Sequence, residues 1–169
     1  VMGESNNMSG ENNNRSSIEL PKPQRELLKK IYNINKNIIL VVMSGRPIAL
    51  EWEDEHMAAV LQAWHLGDES GNAINEILTG LAVPSAKLTV TVPRSTGQIP
   101  MYYNHKNTGR PSFRHYIDVA DSELYPFGFG MSYTTFEYSN LRTDKKVLQE
   151  GESVTLKVDI KNTGKLQAY

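Results

Sequence analysis

Two glutamates near the start of the chain have the residue type and setting for proton transfer. Glu4 follows a short stretch that resembles the end of a buried strand, and Glu11 lies in the Asn- and Ser-rich segment 5–17, which is predicted to be a loop. A carboxyl group on a loop can be presented to a pocket of a neighbouring domain. From the residues alone, a solvated loop residue is the favoured interpretation of Glu11. Glu4 is interpreted as structural, either capping the next turn or pairing with Arg15.

Other kinds of chemistry have little support in the residues. The chain has no cysteine, which excludes disulfides, thiolate catalysis and cysteine-based metal sites. The four histidines show no metal-ligand spacing, so neither a metal nor another cofactor is predicted. No Gly-x-Ser-x-Gly nucleophile motif occurs. The net charge of -1 and the lack of a long apolar run argue against nucleic acid and membrane partners. The histidines are His56, His65, His105 and His115.

Three helices are predicted among the elements that must position these residues. Apolar side chains recur at helical spacing over residues 23–34, 55–65 and 73–81. For the third helix, Ser70 is a candidate N-cap and Gly80 a candidate stop.

The predicted strands change character along the chain. The continuous apolar run 38–43 predicts a strand buried on both faces, and the alternation at 88–92 predicts a second strand. Strands that alternate with helices are typical of a layered α/β domain. After a loop-like stretch, strands are predicted at 136–141 and 154–160. The second of these alternates as if one face met a core and the other met water.

Four motifs, in this order, resemble the C-terminal half of family 3 glycoside hydrolases, most closely the bacterial periplasmic β-glucosidases. Their order and spacing across nearly the whole chain make the combination specific. The motifs are MSGENNNR at 8–15, ILVVMSGRP at 39–47, PRSTGQIP at 93–100 continuing through YYNHKNTGRP at 102–111, and LYPFGFGMSYTTF at 124–136.

The resemblance implies a fold and a domain arrangement. It implies a layered α/β sandwich over residues 1–115, a linker over 116–133, and the incomplete start of an all-β, fibronectin-III-like segment over 134–169. A (β/α)8 barrel would precede this chain. The chain begins like a truncated strand and ends at a turn signal, so we interpret it as a fragment whose targeting signals were lost, from a periplasmic or secreted enzyme.

The resemblance also implies a reaction. The family's retaining mechanism uses two carboxylates, and the nucleophilic aspartate is expected in the missing barrel. By its position in the first motif, Glu11 is the expected acid/base residue. The loop at 102–111 could bring His105 to the sugar, although a structural loop is the simpler interpretation.

Several functions remain open at this point. The first is part of an exo-acting β-glucosidase that hydrolyses terminal β-glucosyl residues of oligosaccharides or other β-glucosides. A β-xylosidase of the same family is the related alternative. A truncated domain that packs against a barrel without turnover is the non-enzymatic alternative, and the isolated chain is expected to be inactive. A flavodoxin-like ligand-binding domain is a further, less favoured interpretation. The oligomeric state is open, with a homodimer among the options.

Overall fold

The computed structural model of the chain describes residues 1–106 and 116–168. The described residues fall into two units, one within 1–74 and 87–129 and the other within 75–86 and 130–169. In chain order the elements are β1 (Met2–Gly3), α1 (Lys22–Ile34), β2 (Ile39–Met43), α2 (Glu51–His56), β3 (Ala59–Gln62), α3 (Ser70–Thr79), a 3-10 helix (Thr96–Gln98), β4 (Phe136–Thr143) and β5 (Leu156–Asn162).

A three-stranded parallel sheet in the order β1-β2-β3 forms the centre of the first unit. In the middle strand β2, Leu40, Val41 and Val42 are buried. A strand covered on both faces needs an apolar run without alternation, and the run at 38–43 meets this requirement. The predicted α/β architecture and the predicted buried strand are therefore confirmed.

Strand β1 is held on both of its sides. One side pairs with β2, with Gly3 opposite Met43. On the other side, the Gly3 N–H donates to Gln24 Oε1 at 2.8 Å, and Gln24 Nε2 donates to the Gly3 carbonyl at 2.9 Å. The side-chain amide of α1 thus satisfies backbone groups that β2 leaves free.

Helix α1 agrees with the predicted helix at 23–34 and starts with a proline in its first turn. Of its predicted apolar face, Leu28 is buried, whereas Leu27 and Ile31 are more than a third exposed. Leu28 belongs to an apolar core that includes β2 and the segments flanking α2. The buried members of this core are Leu20, Leu28, Leu40, Val42, Ile48, Leu50 and Met57.

The predicted helix at 55–65 is wrong. Helix α2 ends at His56, and the chain turns extended at Met57 to form β3 at Ala59–Gln62. The Ala58 N–H donates to the Ile38 carbonyl at 2.9 Å, which directs the chain alongside β2. The apolar residues of this short stretch fit either period, and pairing with β2 decides in favour of a strand.

Two other predicted elements differ from the structure. Residues 88–92 form no regular strand, and they pair with residues 124–129 at only two points, around Leu88 and Val92. Helix α3 begins at Ser70, three residues earlier than predicted, so Ser70 lies within the helix. Gly80 follows the helix with φ 76°, a left-handed conformation that favours glycine, and the predicted stop is confirmed.

The second unit contains the two strands predicted near the C-terminal end. Strands β4 and β5 pair antiparallel, from Phe136 opposite Asn162 to Thr143 opposite Leu156. Every residue of both strands is exposed, so the predicted core-facing side of the second strand is uncovered. Within residues 1–106 and 116–168, no helix is both long and apolar enough to cross a membrane.

A buried ion pair links α1 to α2. The Glu53 side chain is fully buried, and its Oε1 lies 3.1 Å from Arg25 Nε, while Arg25 Nη1 lies 2.9 Å from Glu19. The Glu53 Oε2 atom is buried without a hydrogen-bond partner. Burial raises the pKa of Glu53 above its ordinary value of 4.5, although the backbone hydrogen bond and Arg25 oppose the rise.

We predict that Gly3→Ala destabilises the first unit. Gly3 has φ 148°, and a Cβ there would lie 1.7 Å from the Met43 carbonyl oxygen, so β1 would have to move away from β2. The free energy of unfolding, measured by urea titration, should fall by about 2 kcal/mol or more. Gly71→Ala is the control, because a Cβ at Gly71 meets no atom within 4 Å. An equal effect of both substitutions would contradict the prediction.

A second prediction concerns pH. Because the folded chain holds the Glu53 proton more tightly than the unfolded chain does, this group contributes less stability as pH rises from about 4.5 towards the raised pKa. Glu53→Gln removes that loss, so the unfolding free energy of the variant relative to the parent should increase between pH 4 and pH 7. Urea titrations at both pH values measure it, with Glu55→Gln on the exposed side of α2 as control. A flat or decreasing difference would refute the prediction.

Candidate functional site

The carboxyl ends of the three parallel strands meet at one edge of the sheet, the edge where open α/β sheets bind ligands. Glu4 follows β1, and the sequence Ser44-Gly45-Arg46 follows β2. The chain after β3 leads to His65, which is exposed. The loop that carries Glu11 covers part of this edge, so the candidate site is built from the loop and the strand ends.

Glu4 is the buried charge of the site. Its side chain is 0% exposed, yet both of its oxygens have cationic partners. Arg15 Nη1 donates to Glu4 Oε1 at 2.7 Å, and Arg46 Nε donates to Glu4 Oε2 at 3.1 Å. The predicted pairing of Glu4 with Arg15 is confirmed, and Arg46 is a second partner that the sequence did not indicate.

The same Arg46 side chain also binds the backbone of the Glu11 loop. Its Nη2 donates to the Met8 carbonyl at 2.6 Å and to the Asn13 carbonyl at 2.8 Å. Met8 precedes Glu11 by three residues and Asn13 follows it by two. The guanidinium therefore joins the buried carboxylate of Glu4 to both sides of the Glu11 turn.

The turn around Glu11 has its own local hydrogen bonds. The Asn13 N–H donates to the Gly10 carbonyl at 3.2 Å, and Asn13 Nδ2 donates to the Ser9 carbonyl at 3.1 Å. Gly10 and Asn12 have φ values of 101° and 65°, in the left-handed region that glycine and asparagine tolerate best. The asparagine-rich composition thus fits the shape of the turn.

Gly45 allows the loop to pack closely against the end of β2. A Cβ at this position would lie 2.0 Å from Ser9 Oγ and 3.1 Å from His65 Nε2. Ser44, which is fully buried, donates from its hydroxyl to the Arg46 carbonyl at 2.8 Å and accepts from Gln62 Nε2 at 3.3 Å. The backbone that carries Arg46 is therefore fixed to two strands.

Glu11 itself is exposed. Among the hydrogen bonds and ion pairs of the described residues, none involves the Glu11 side chain, which contrasts with the doubly paired Glu4. The structure thus presents one carboxyl group to solvent on a backbone that is anchored on both sides. A carboxyl group in this setting is available to a partner surface.

His105 is not brought to the Glu11 loop. The His105 imidazole is exposed and lies 5.3 Å from the ring of Tyr102, and the His105 backbone N–H donates to the Tyr102 carbonyl at 3.1 Å. Over the described residues, no hydrogen bond or ring contact joins His105 to the segment 5–17. The rest of the predicted loop, from 107 to 111, and His115 lie outside the described residues.

The described ranges offer little support for two other kinds of site, a metal site and a sugar-binding cavity. Within these ranges, no cluster of three or more histidine, aspartate or glutamate side chains could coordinate a metal ion. A hollow of about 250 Å³ lies beside Arg46, lined by Ile18, Pro47 and residues of the segment 90–101. Its lining is almost entirely apolar, which suits hydrocarbon better than the hydroxyl groups of a sugar.

Arg46 is the residue of the candidate site for which the sequence predicted no role. The order of the elements gave only a partial signal. Glu4 follows β1 and Arg46 follows β2, so both lie at the edge where these parallel strands end, but local spacing does not show that they pair. Arg46 also lies in the second motif, at 39–47.

An α/β domain whose strand ends carry a polar, carboxylate-bearing loop is the class that the fold and site define. Residues 1–133 match the glycosyl hydrolase family 3 C-terminal domain, and the chain belongs to this family. The family resemblance inferred from the four motifs is thereby confirmed.

Relatives with known activities match nearly the whole chain. It is 44% identical over 98% of its length to a periplasmic β-glucosidase of Salmonella typhimurium, covering 23% of that protein. It is 33% identical over 98% of its length to a β-xylosidase of Formosa agariphila, again covering 23%. A crystal structure of a Listeria innocua β-glucosidase in complex with glucose has a TM-score of 0.87 at 38% identity, with 96% of this chain and 24% of that chain covered. The chain therefore spans about a quarter of the length of these relatives.

We predict that neutralising Glu4 lowers the stability of the fold strongly, whereas neutralising Glu11 changes it little. Glu4→Gln keeps the shape but leaves two arginines without their buried counter-charge, so the free energy of unfolding should fall by about 3 kcal/mol or more. Glu11→Gln changes an exposed side chain and should alter it by less than about 0.5 kcal/mol. Urea titration of both variants measures the contrast. An unchanged free energy of unfolding in Glu4→Gln would show that the ion-pair network does not support the fold.

Proposed function

We propose that this chain is part of a retaining, exo-acting β-glucosidase and that it contributes Glu11 as the general acid and base. The observation that supports this most directly is the exposed Glu11 carboxyl on an anchored turn, which has no hydrogen-bond or ion-pair partner within residues 1–106 and 116–168. It occurs in a chain that is 44% identical, over nearly its whole length, to a periplasmic β-glucosidase. The substrate class is terminal β-glucosyl residues of oligosaccharides or other β-glucosides.

The proposed reaction has two steps. An aspartate, expected on a (β/α)8 barrel beyond this chain, attacks the anomeric carbon while protonated Glu11 gives its proton to the departing glycosidic oxygen. The ionised Glu11 then takes a proton from water, which attacks the glucosyl-enzyme ester, releases glucose and regenerates both carboxyl groups. The two carboxyl groups would stand about 5–5.5 Å apart.

The environment of each glutamate favours Glu11 over Glu4 for this task. Both oxygens of Glu4 accept from arginines, and its side chain has no contact with solvent, so a substrate cannot reach it. Glu11 has open space around it, and docking against a partner domain would bury it beside a second carboxylate. That burial and the like charge both favour the protonated form that an acid catalyst needs.

His105 is retained in the proposal as a candidate sugar contact. Its exposed imidazole stands next to the half-exposed ring of Tyr102, and aromatic and polar side chains on loops suit the faces of sugars. Since the described residues show no contact between His105 and the Glu11 loop, the two would have to approach the sugar from different sides.

Two alternatives keep specific support. The 33% identity to a β-xylosidase over 98% of the chain favours the same chemistry on a xyloside, because the residues proposed here do not select the sugar. The chain also spans about a quarter of its relatives, which is compatible with a packing domain that has no turnover by itself. A periplasmic location is proposed from the relative in Salmonella typhimurium.

A chimera in which this chain replaces the matching segment of the Salmonella enzyme tests the role of Glu11. The chain alone should not hydrolyse 4-nitrophenyl β-glucoside, and the chimera should. In the chimera, Glu11→Ala should lower kcat/KM for cellobiose by about 100-fold or more, because its leaving group needs a proton. For 2,4-dinitrophenyl β-glucoside, kcat/KM should change little, and added azide should raise kcat by replacing the activated water.

Glu55→Ala, on the exposed side of α2, is the control and should leave kcat/KM unchanged for both substrates. Turnover by the chain alone would contradict the two-domain site. An equal loss of kcat/KM for both substrates in Glu11→Ala, without azide rescue, would show that Glu11 is not the proton donor. A chimera that prefers 4-nitrophenyl β-xyloside would favour the xylosidase alternative.

A further inference from the structure

We propose that Arg46 is a positioning residue, which sets the direction in which the Glu11 carboxyl is presented. This inference rests on the proposed function of Glu11. The contact between Arg46 and the loop is observed independently of that proposal. Arg46 touches neither a substrate nor a reacting atom in this chain. It acts through the backbone on either side of Glu11.

The contacts of Arg46 bracket Glu11 closely. Nη2 donates to the carbonyls of Met8 and Asn13, at 2.6 Å and 2.8 Å, so a single nitrogen spans the turn that carries Glu11. With both carbonyls held, the backbone between them has few remaining directions in which to move. The Glu11 side chain can still rotate, but its Cα is fixed relative to the sheet.

The support for Arg46 is rigid on its other side. Its Nε donates to Glu4 Oε2, and the Glu4 N–H donates to the Met43 carbonyl at 2.9 Å. The Arg46 carbonyl accepts from the buried Ser44 hydroxyl. The guanidinium is thus tied to the ends of β1 and β2, so it transmits the position of the sheet to the loop.

The loop cannot place itself by its local bonds alone. The hydrogen bonds from Asn13 to Ser9 and Gly10 shape the turn but do not join it to the sheet. Ser9 packs closely against Gly45 at the end of β2, which is one contact between the loop and the sheet. The hydrogen bonds of Arg46 are a second contact, and they also fix the orientation of the loop, because hydrogen bonds constrain angles as well as distances.

The planar fork of arginine matters for this role. One guanidinium serves three acceptors, the Glu4 carboxylate and two carbonyls, in a fixed relative geometry. Lysine keeps the positive charge near Glu4 but is a point charge on a flexible stem. Arg46→Lys therefore separates the geometric role of the side chain from its charge.

Arg25→Lys is a closely matched control. Arg25 and Arg46 are both 23% exposed, and each places Nε 3.1 Å from an oxygen of a fully buried glutamate. Arg25 has no hydrogen bond to the loop among the described residues and pairs instead with Glu53 and Glu19. A general loss of stability should therefore affect both lysine variants alike.

The kinetic test uses the chimera with the Salmonella enzyme. Arg46→Lys should lower kcat/KM for cellobiose by about tenfold or more, because a displacement of about 1 Å at a catalytic group costs up to 100-fold. For 2,4-dinitrophenyl β-glucoside, which needs little acid assistance, the loss should stay within about threefold. Arg25→Lys should change both values by less than about twofold.

Hydrogen exchange of the backbone amides over residues 5–15, measured on this chain and on the chimera, gives a readout independent of turnover. Exchange should be faster in Arg46→Lys and unchanged in Arg25→Lys. Equal losses for both substrates, or unchanged exchange in Arg46→Lys, would overturn the inference. One outcome separates the two proposals. If Glu11→Ala lowers kcat/KM equally for cellobiose and 2,4-dinitrophenyl β-glucoside, while Arg46→Lys still speeds amide exchange over residues 5–15, the proposed role of Glu11 is wrong but the contact between Arg46 and the loop is supported.

Discussion

The buried charge of Glu4 is the interaction on which the arrangement of the site depends. A carboxylate removed from water needs a compensating positive charge, and Glu4 has two such partners, 2.7 Å and 3.1 Å away. Arg15 belongs to the far end of the polar loop and Arg46 follows β2. The ion pairs of Glu4 therefore connect the end of β1, the loop and the end of β2. Since each arginine also donates to backbone carbonyls, the network fixes the course of the main chain as well as its side chains.

This arrangement divides two glutamates of one short segment between different tasks. Glu4 is enclosed and paired with two arginines, which keeps it from any ligand. Glu11, seven residues later, is exposed on a backbone that the first glutamate helps to hold, and its side chain has no partner in the part of the chain that the structure describes. Under the proposed function, chemically identical side chains would acquire separate roles through their surroundings, which is a general way for enzymes to separate structural and catalytic carboxylates.

The sequence predicted the fold best where one physical signal dominated. The unbroken apolar run of β2 predicted a strand buried on both faces, and the apolar repeat predicted helix α1, although only Leu28 of its apolar face is buried. The stretch from Met57 to Trp64 fitted either period, and the choice of strand came from pairing with β2, a long-range contact that local spacing does not contain. The position of Arg46 was hidden for the same reason, because its partners Glu4, Met8 and Asn13 are more than thirty residues away.

If Glu11 is the proton donor as proposed, an anchored loop would let it act from a domain other than that of its nucleophile. Two carboxyl groups act together only within a narrow range of separation, about 5–5.5 Å in retaining glycosidases. A flexible loop would reach that range for a small fraction of the time, and the rate would fall by the same fraction. When the loop is fixed to the ends of two strands, the separation is set once, by the docking of one rigid domain on another. On this argument, the ion pairs around Glu4 turn a mobile carboxylate into one whose position the fold determines.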